Sequence, residues 1–267
     1  MATPHRTAAP RAARTLGPRG PLACAAARQG TAPRRDLSLT RRYEVTALMP
    51  DGRLESLTRV APATPAFEDA FAALARGTLI STADGPVAVE DLTPGTLVET
   101  VGRGPQPLLW VGAITLFPQP GSTTGGEAAR LTRLATDALG LGRPMPDLVL
   151  GPRARVLYRH AACREILGAA SAFAPARAFV DGVQVTELSP VSPVRVHHLA
   201  FHGQQILNAN GIEVESFHPG PQAEAMMDAE SLALFLSLFP HLETLQGFGP
   251  METPRLTAFE LEGLLAS

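Results

Sequence analysis

Residues 76–100, RGTLISTADGPVAVEDLTPGTLVET, constrain the fold of this chain more than any other stretch. Thr78-Leu79-Ile80 suits a strand, and Ala83-Asp84-Gly85-Pro86 is turn chemistry. Val87 and Val89 alternate with Ala88 and Glu90, as a half-buried return strand would. Asp91-Leu92-Thr93-Pro94-Gly95 is a second turn, and Leu97-Val98 opens the next strand. Strands this short, separated by turns this tight, build a compact β-rich domain. The 24 Gly and 25 Pro of the 267 residues favour the same outcome over long helices.

The flanking sequence extends the pattern. Residues 1–42 are mostly Ala, Pro and Arg and cannot bury enough apolar surface to offset their ordering entropy, so they read as a disordered tail. Arg34-Arg35 precedes no apolar region of the kind an export signal needs. The expectation therefore leans to the cytoplasm, with secretion left open. Tyr43–Met49 and Arg53–Val60 read as a hairpin around Pro50-Asp51-Gly52. Ala66–Leu74, with Phe67, Phe71 and Leu74 on one face, reads as a short helix. Strands are expected at Arg130–Leu134, Val194–Phe201, Gln205–Leu207 and Ile212–Val214, with Leu148–Leu150 running into Gly151–Tyr158 and a polar loop at 118–127. Asp228 caps an expected helix carrying Leu232, Phe235, Leu236 and Phe239, and Thr253-Pro254 starts a second. The chain thus divides into a tail (1–42), a hairpin and helix (43–72), a β domain (73–220) and a helical extension (221–267).

Four blocks, in order, resemble the Hint fold shared by hedgehog autoprocessing domains, inteins and many bacterial proteins. They are Gly77-Thr78 with Glu90-Asp91-Leu92-Thr93-Pro94-Gly95, the Pro107–Gly112 strand with Trp110, the block Leu148–Leu157, and Phe173–Gly182. Glu215–Gly220 resembles the usual close of such a domain. The resemblance implies a mainly β, horseshoe-like fold of many short strands, here with an N-terminal hairpin and short C-terminal helices. It also implies a function: a Cys or Ser at the first position attacks the preceding carbonyl, and a Thr-x-x-His element polarises that peptide. Carried onto this chain, the nucleophile position is Ala73, the Thr position Gly151 and the His position Ala154. None of these side chains can attack or hydrogen-bond. The expectation is a catalytically silent Hint scaffold acting as a binding or structural module. The alternative is an autoprocessing protein using another hydroxyl, with Thr78 and Ser81 as candidates.

Other chemistry finds little support in the sequence. Cys24 lies in the tail and Cys163 reads as a small apolar residue. His197 and His198 point to opposite faces of a strand, while His198, His202 and His218 could share a side. His198 is the one weak site candidate, as a hydrogen-bonded histidine near the floor of the old site; no metal is expected. Glu90-Asp91 reads as a turn cap. No G-x-S-x-G, phosphate loop or dinucleotide fingerprint is present, so no cofactor is expected. A net charge of −2 gives no reason to expect nucleic acid, and no apolar run is long enough for a membrane helix. A protein partner is compatible with this reading, and the sequence names none.

Overall fold

The computed structural model describes residues 39–118 and 130–265. Of the expected tail 1–42, residues 1–38 lie outside the described residues, as does nearly all of the polar stretch 118–127, while Thr40–Arg42 belong to a strand. In chain order the strands are β1 (Thr40–Leu48), β2 (Leu54–Pro62), β3 (Leu74–Ala75), β4 (Leu79–Thr82), β5 (Gly85–Ala88), β6 (Leu97–Thr100), β7 (Gly104–Pro107) and β8 (Trp110–Leu116). They continue as β9 (Leu131–Leu134), β10 (Leu148–Leu150), β11 (Arg155–Tyr158), β12 (Ala172–Pro175), β13 (Val185–Leu188), β14 (Val194–Ala200), β15 (Ile206–Ala209) and β16 (Ile212–Glu215). Among the described residues four short α-helices accompany them: α1 (Pro65–Glu68), α2 (Ala161–Leu167), α3 (Ala229–Leu236) and α4 (Ala258–Leu265).

The strands form two sheets, ordered β13-β9-β10-β3-β14-β8-β1-β2 and β12-β11-β16-β15-β4-β6-β7, with β5 hydrogen-bonded to β4. Every pairing between these strands is antiparallel, from the nine-residue β1–β2 register to the single Leu150–Leu74 pair. The fold is mainly β, as expected, and the expected N-terminal hairpin is an integral part of it. β1 pairs with β8, matching Glu44 to Ala113 and Ala47 to Trp110. Hairpin and domain thus share one sheet.

Among the described residues two large apolar cores and a smaller third, around Cys163, Leu256 and Leu261, follow from this arrangement. One face of the first sheet contributes Tyr43, Val45, Trp110, Ile114 and Val196, covered by Phe67, Phe71, Phe217, Phe235, Phe239 and Phe248. The Trp110 ring stacks on Phe239 with centroids 4.7 Å apart and meets Phe71 edge-on at 5.1 Å, geometries that aromatic pairs prefer. Its indole N–H donates to the Leu238 carbonyl at 2.8 Å, so the chain just after α3 is tied directly to this core. Gly112 follows Trp110 on the same face because a Cβ there would lie 2.0 Å from the indole ring. The second core lies between the sheets, where Ile80, Val98, Leu108, Leu150, Val156, Leu199, Leu207 and Val214 meet.

Several elements differ from the expectations. The helix of 66–74 stops after one turn at Glu68, and Leu74 belongs to β3. Leu74 pairs with both Leu150 and His197, and two flanking strands override the local helix propensity of the Ala-rich sequence. Val89 and Glu90 lie in a 3-10 turn instead of extending β5. The last helix begins after Thr257, not at Pro254. Thr257 and Glu260 form a reciprocal capping box, with the Glu260 amide donating to Thr257 Oγ1 and the Thr257 amide to the Glu260 carboxylate. Pro254 instead gives its carbonyl to the Phe173 amide at 2.9 Å. Helix α2 and strand β13 have no clear periodic signature in the sequence. By contrast, Asp228 caps α3 as read, accepting from the Ser231 amide at 2.7 Å.

Candidate functional site

The three positions that the Hint resemblance singles out, far apart in sequence, come together at one place. Strand β3 is wedged between β10 and β14, and the two residues before it, Ala72 and Ala73, are fully enclosed, at 0% and 1% exposure. The Ala73 amide donates to the His197 carbonyl at 3.2 Å, and its own carbonyl accepts from the Gly151 amide at 2.7 Å. The Ala72 carbonyl accepts from the Arg153 amide at 2.9 Å. The Ala154 amide donates back to the Gly151 carbonyl at 3.2 Å, closing a tight turn that leads into β11. Ala73 and Ala154 both belong to the core between the sheets.

Gly151 is there for a steric reason. A Cβ at this position would lie 2.3 Å from the Ala72 carbonyl oxygen and 2.7 Å from its carbon. The peptide joining Ala72 to Ala73 therefore lies directly on the residue-151 backbone, with no room for even a methyl group. Its carbonyl is hydrogen-bonded by an amide, and the residues at the three family positions bring no nucleophilic side chain to it.

The hydroxyl candidates are engaged elsewhere. Thr78 is buried and donates to the Ala75 carbonyl at 2.7 Å; Ser81 lies within β4, beyond the junction. Glu90 caps a turn: it accepts from the Gly77 amide at 2.8 Å and pairs with Arg76 Nε at 3.2 Å. These bonds oppose burial and hold its carboxyl below the usual range. Asp91 is exposed. Cys163 is buried on α2 against Ala172, Ala174, Leu256 and Leu261.

The histidines do not converge. His198 is buried and meets Phe217 edge-on, with ring centroids 5.5 Å apart. Its Nδ1 lies 3.1 Å from the Asp69 carbonyl oxygen and its Nε2 lies 3.4 Å from that of Glu215. Burial pushes its pKa down to about 4 despite these two acceptors, so the ring is neutral and donates to one carbonyl at a time. The carbonyl it meets at Asp69 lies four residues before Ala73. His197 projects to the other face, where Arg195 Nε donates to its Nε2 at 3.3 Å; burial and that guanidinium lower it to about 4 as well. His218 donates through Nε2 to the Gly249 carbonyl at 3.0 Å and accepts from the Gly220 amide at Nδ1. His202 is exposed. Among the described residues, no group of three His, Cys, Asp or Glu side chains is placed to hold a metal ion, and no helix is long and apolar enough to cross a membrane.

A charged cluster that the sequence reading missed lies behind His198. Glu215 is 3% exposed, accepts from Arg255 Nε at 2.8 Å and from the Gln204 side-chain amide, and faces Arg155 at 3.6 Å. Asp69 pairs with Arg153 at 3.2 Å beside it. The members come from separate parts of the chain, which is why no local pattern revealed the group.

Fold and junction together define an all-β domain that holds the peptide before β3 inside its own core. A family model for the Hint domain matches residues 72–221, more than half of the chain, and the chain belongs to that family. The solution structure of a bacterial intein-like domain from Clostridium thermocellum is similar over 55% of this chain and 99% of that one, with 15% identity and a TM-score of 0.37. No curated protein matches the chain.

Proposed function

We propose that this Hint-domain protein is catalytically silent and serves as a binding or structural module. The observation that carries the reading is the enclosed Ala72–Ala73 peptide. Its carbonyl is packed against Gly151 at a spacing that excludes any side chain there, and Ala73 and Ala154 fill core positions with methyl groups. Autoprocessing needs a nucleophile beside the scissile carbonyl and a group to donate or take a proton. Neither is present at these positions. The segment upstream of the junction points the same way. Residues 43–71 supply most of β1, all of β2 and much of the aromatic core, so a chain cut before Ala73 would surrender part of its own sheet.

Self-cleavage by a non-standard nucleophile has one observation in its favour: the Ala72 carbonyl still accepts a hydrogen bond from the Arg153 amide, as a polarised scissile carbonyl would. Intact mass of the full chain decides between the two. A single species of 28.1 kDa, unchanged after incubation with dithiothreitol, is the expected result. Fragments ending at Ala72 would overturn it.

A further inference from the structure

The charged cluster behind His198 opens onto a cavity of about 110 Å³ between the turn after α1 and the helical extension. Arg155, Arg255 and Asp69 supply its charged lining, and Met226, Met227 and Phe235 are among its apolar lining. The charged cluster comprises three arginines, Arg153, Arg155 and Arg255, and two carboxylates, Asp69 and Glu215. The balance is one positive charge in a partly dry site, where an anion of the right shape is favoured. Arg255 is well occupied, through Nε to Glu215 at 2.8 Å and through NH2 to the His218 carbonyl at 2.6 Å. Arg155 is held more loosely. Its guanidinium meets the Glu215 carboxylate at 3.6 Å, beyond hydrogen-bond length, although its side chain is only 24% exposed. A planar, five-donor guanidinium is the side chain that recognises a carboxylate bidentately.

We propose that this cavity binds a small monocarboxylate bearing a short apolar chain. The carboxylate pairs with Arg155, and the chain lies against Met226, Met227 and Phe235. Methionine suits such a lining because it adapts to irregular ligands. The charged lining rejects a neutral or cationic analogue of the same shape, since such a ligand would bury Arg155 without pairing it. The inference deepens the binding-module reading and rests on it. The intact-mass test concerns the Ala72–Ala73 junction and not this cavity, so the two can fail separately.

The test is calorimetric titration of the full chain with butyrate, butan-1-ol and inorganic phosphate. Saturable butyrate binding is expected, with phosphate about tenfold weaker because it has no chain to bury against the methionines, and butan-1-ol without measurable affinity. Arg155→Gln should abolish butyrate binding. Because that residue also pairs with Glu215, Met226→Glu provides a second variant at the rim, where Met226 is 76% exposed. Its added negative charge should weaken butyrate about tenfold without touching the core. The proposal is overturned if butyrate does not saturate, if butan-1-ol binds equally well, if phosphate binds as tightly, or if Met226→Glu leaves the affinity unchanged.

Discussion

A Cβ on residue 151 would stand 2.3 Å from the carbonyl oxygen of Ala72, so Gly151 and Ala72 can occupy their places only while the former remains glycine. The contact joins the start of the Hint domain to the Leu148–Leu157 block. It also leaves no room at residue 151 for the hydroxyl side chain that the Hint resemblance implies there.

Gly151→Ala is therefore expected to destabilise the fold by about 1–3 kcal/mol, the usual cost of overpacking. Urea denaturation monitored by Trp110 fluorescence measures it. An unchanged midpoint would show that the backbone around Ala72 yields freely.

Ala73→Cys should produce a buried thiol and no fragments. Ala73 is 1% exposed and its neighbours are core residues. In a Cys24→Ser background, a disulfide reagent should modify the introduced thiol and Cys163 only after unfolding. Adding Ala154→His restores an imidazole at the family position, yet Ala154 is 4% exposed and shares the same core cluster, so no cleavage is expected. A fragment ending at residue 72 would show that the scaffold still supports the chemistry.

Acid should weaken the fold before most carboxylates titrate. His197, His198 and His241 are each depressed from 6.5 to about 4, chiefly by burial. Between those values the unfolded chain binds protons that the folded chain refuses, so stability is full above pH 6.5 and falls as pH drops toward 4. For His198, crossing the whole window is worth on the order of 3 kcal/mol. Unfolding free energies measured from pH 7 to pH 4.5 should show this slope, and His198→Gln should reduce it. An equal slope in the variant would place the acid sensitivity elsewhere.

Asn210→Ala should cost about 2–3 kcal/mol, more than an ordinary turn substitution. Asn210 adopts a left-handed conformation at φ 50° in the β15–β16 hairpin, where an Asn-Gly turn is preferred. Its side chain also accepts from the Leu79 amide at 2.7 Å and donates to the Pro146 and Asp147 carbonyls, both at 3.1 Å. Asn210→Gly would ease the backbone but lose the same three bonds. If both variants prove as stable as wild type by thermal melting, these bonds are not holding β4 against β15.

Much of the fold is legible in local chemistry. Turns at Ala83-Asp84 and Pro94-Gly95, the Asn208–Gly211 hairpin and the Asp228 cap all depend on residues within a few positions of each other. Local chemistry misleads where distant strands decide. Leu74 looks helical beside Ala72 and Ala73, and it is a strand because β10 and β14 claim its backbone. The Thr257–Glu260 capping box is readable as a T-x-x-E signature, and the Pro254 signal beside it is misleading.

Residue types and their order carry the Hint resemblance and, through that resemblance, assign alanine and glycine to the positions of a nucleophile, a threonine and a histidine. Both are statements about residue types and order, which a one-dimensional pattern carries. Only the tertiary structure decided that Ala72, Ala73 and Gly151 are in contact, that the upstream hairpin completes the same sheet, and that three arginines gather with two carboxylates around the cavity at Arg155. Those facts depend on which surfaces meet once strands from opposite ends of the chain pair, and contact at that range leaves no periodicity in the sequence.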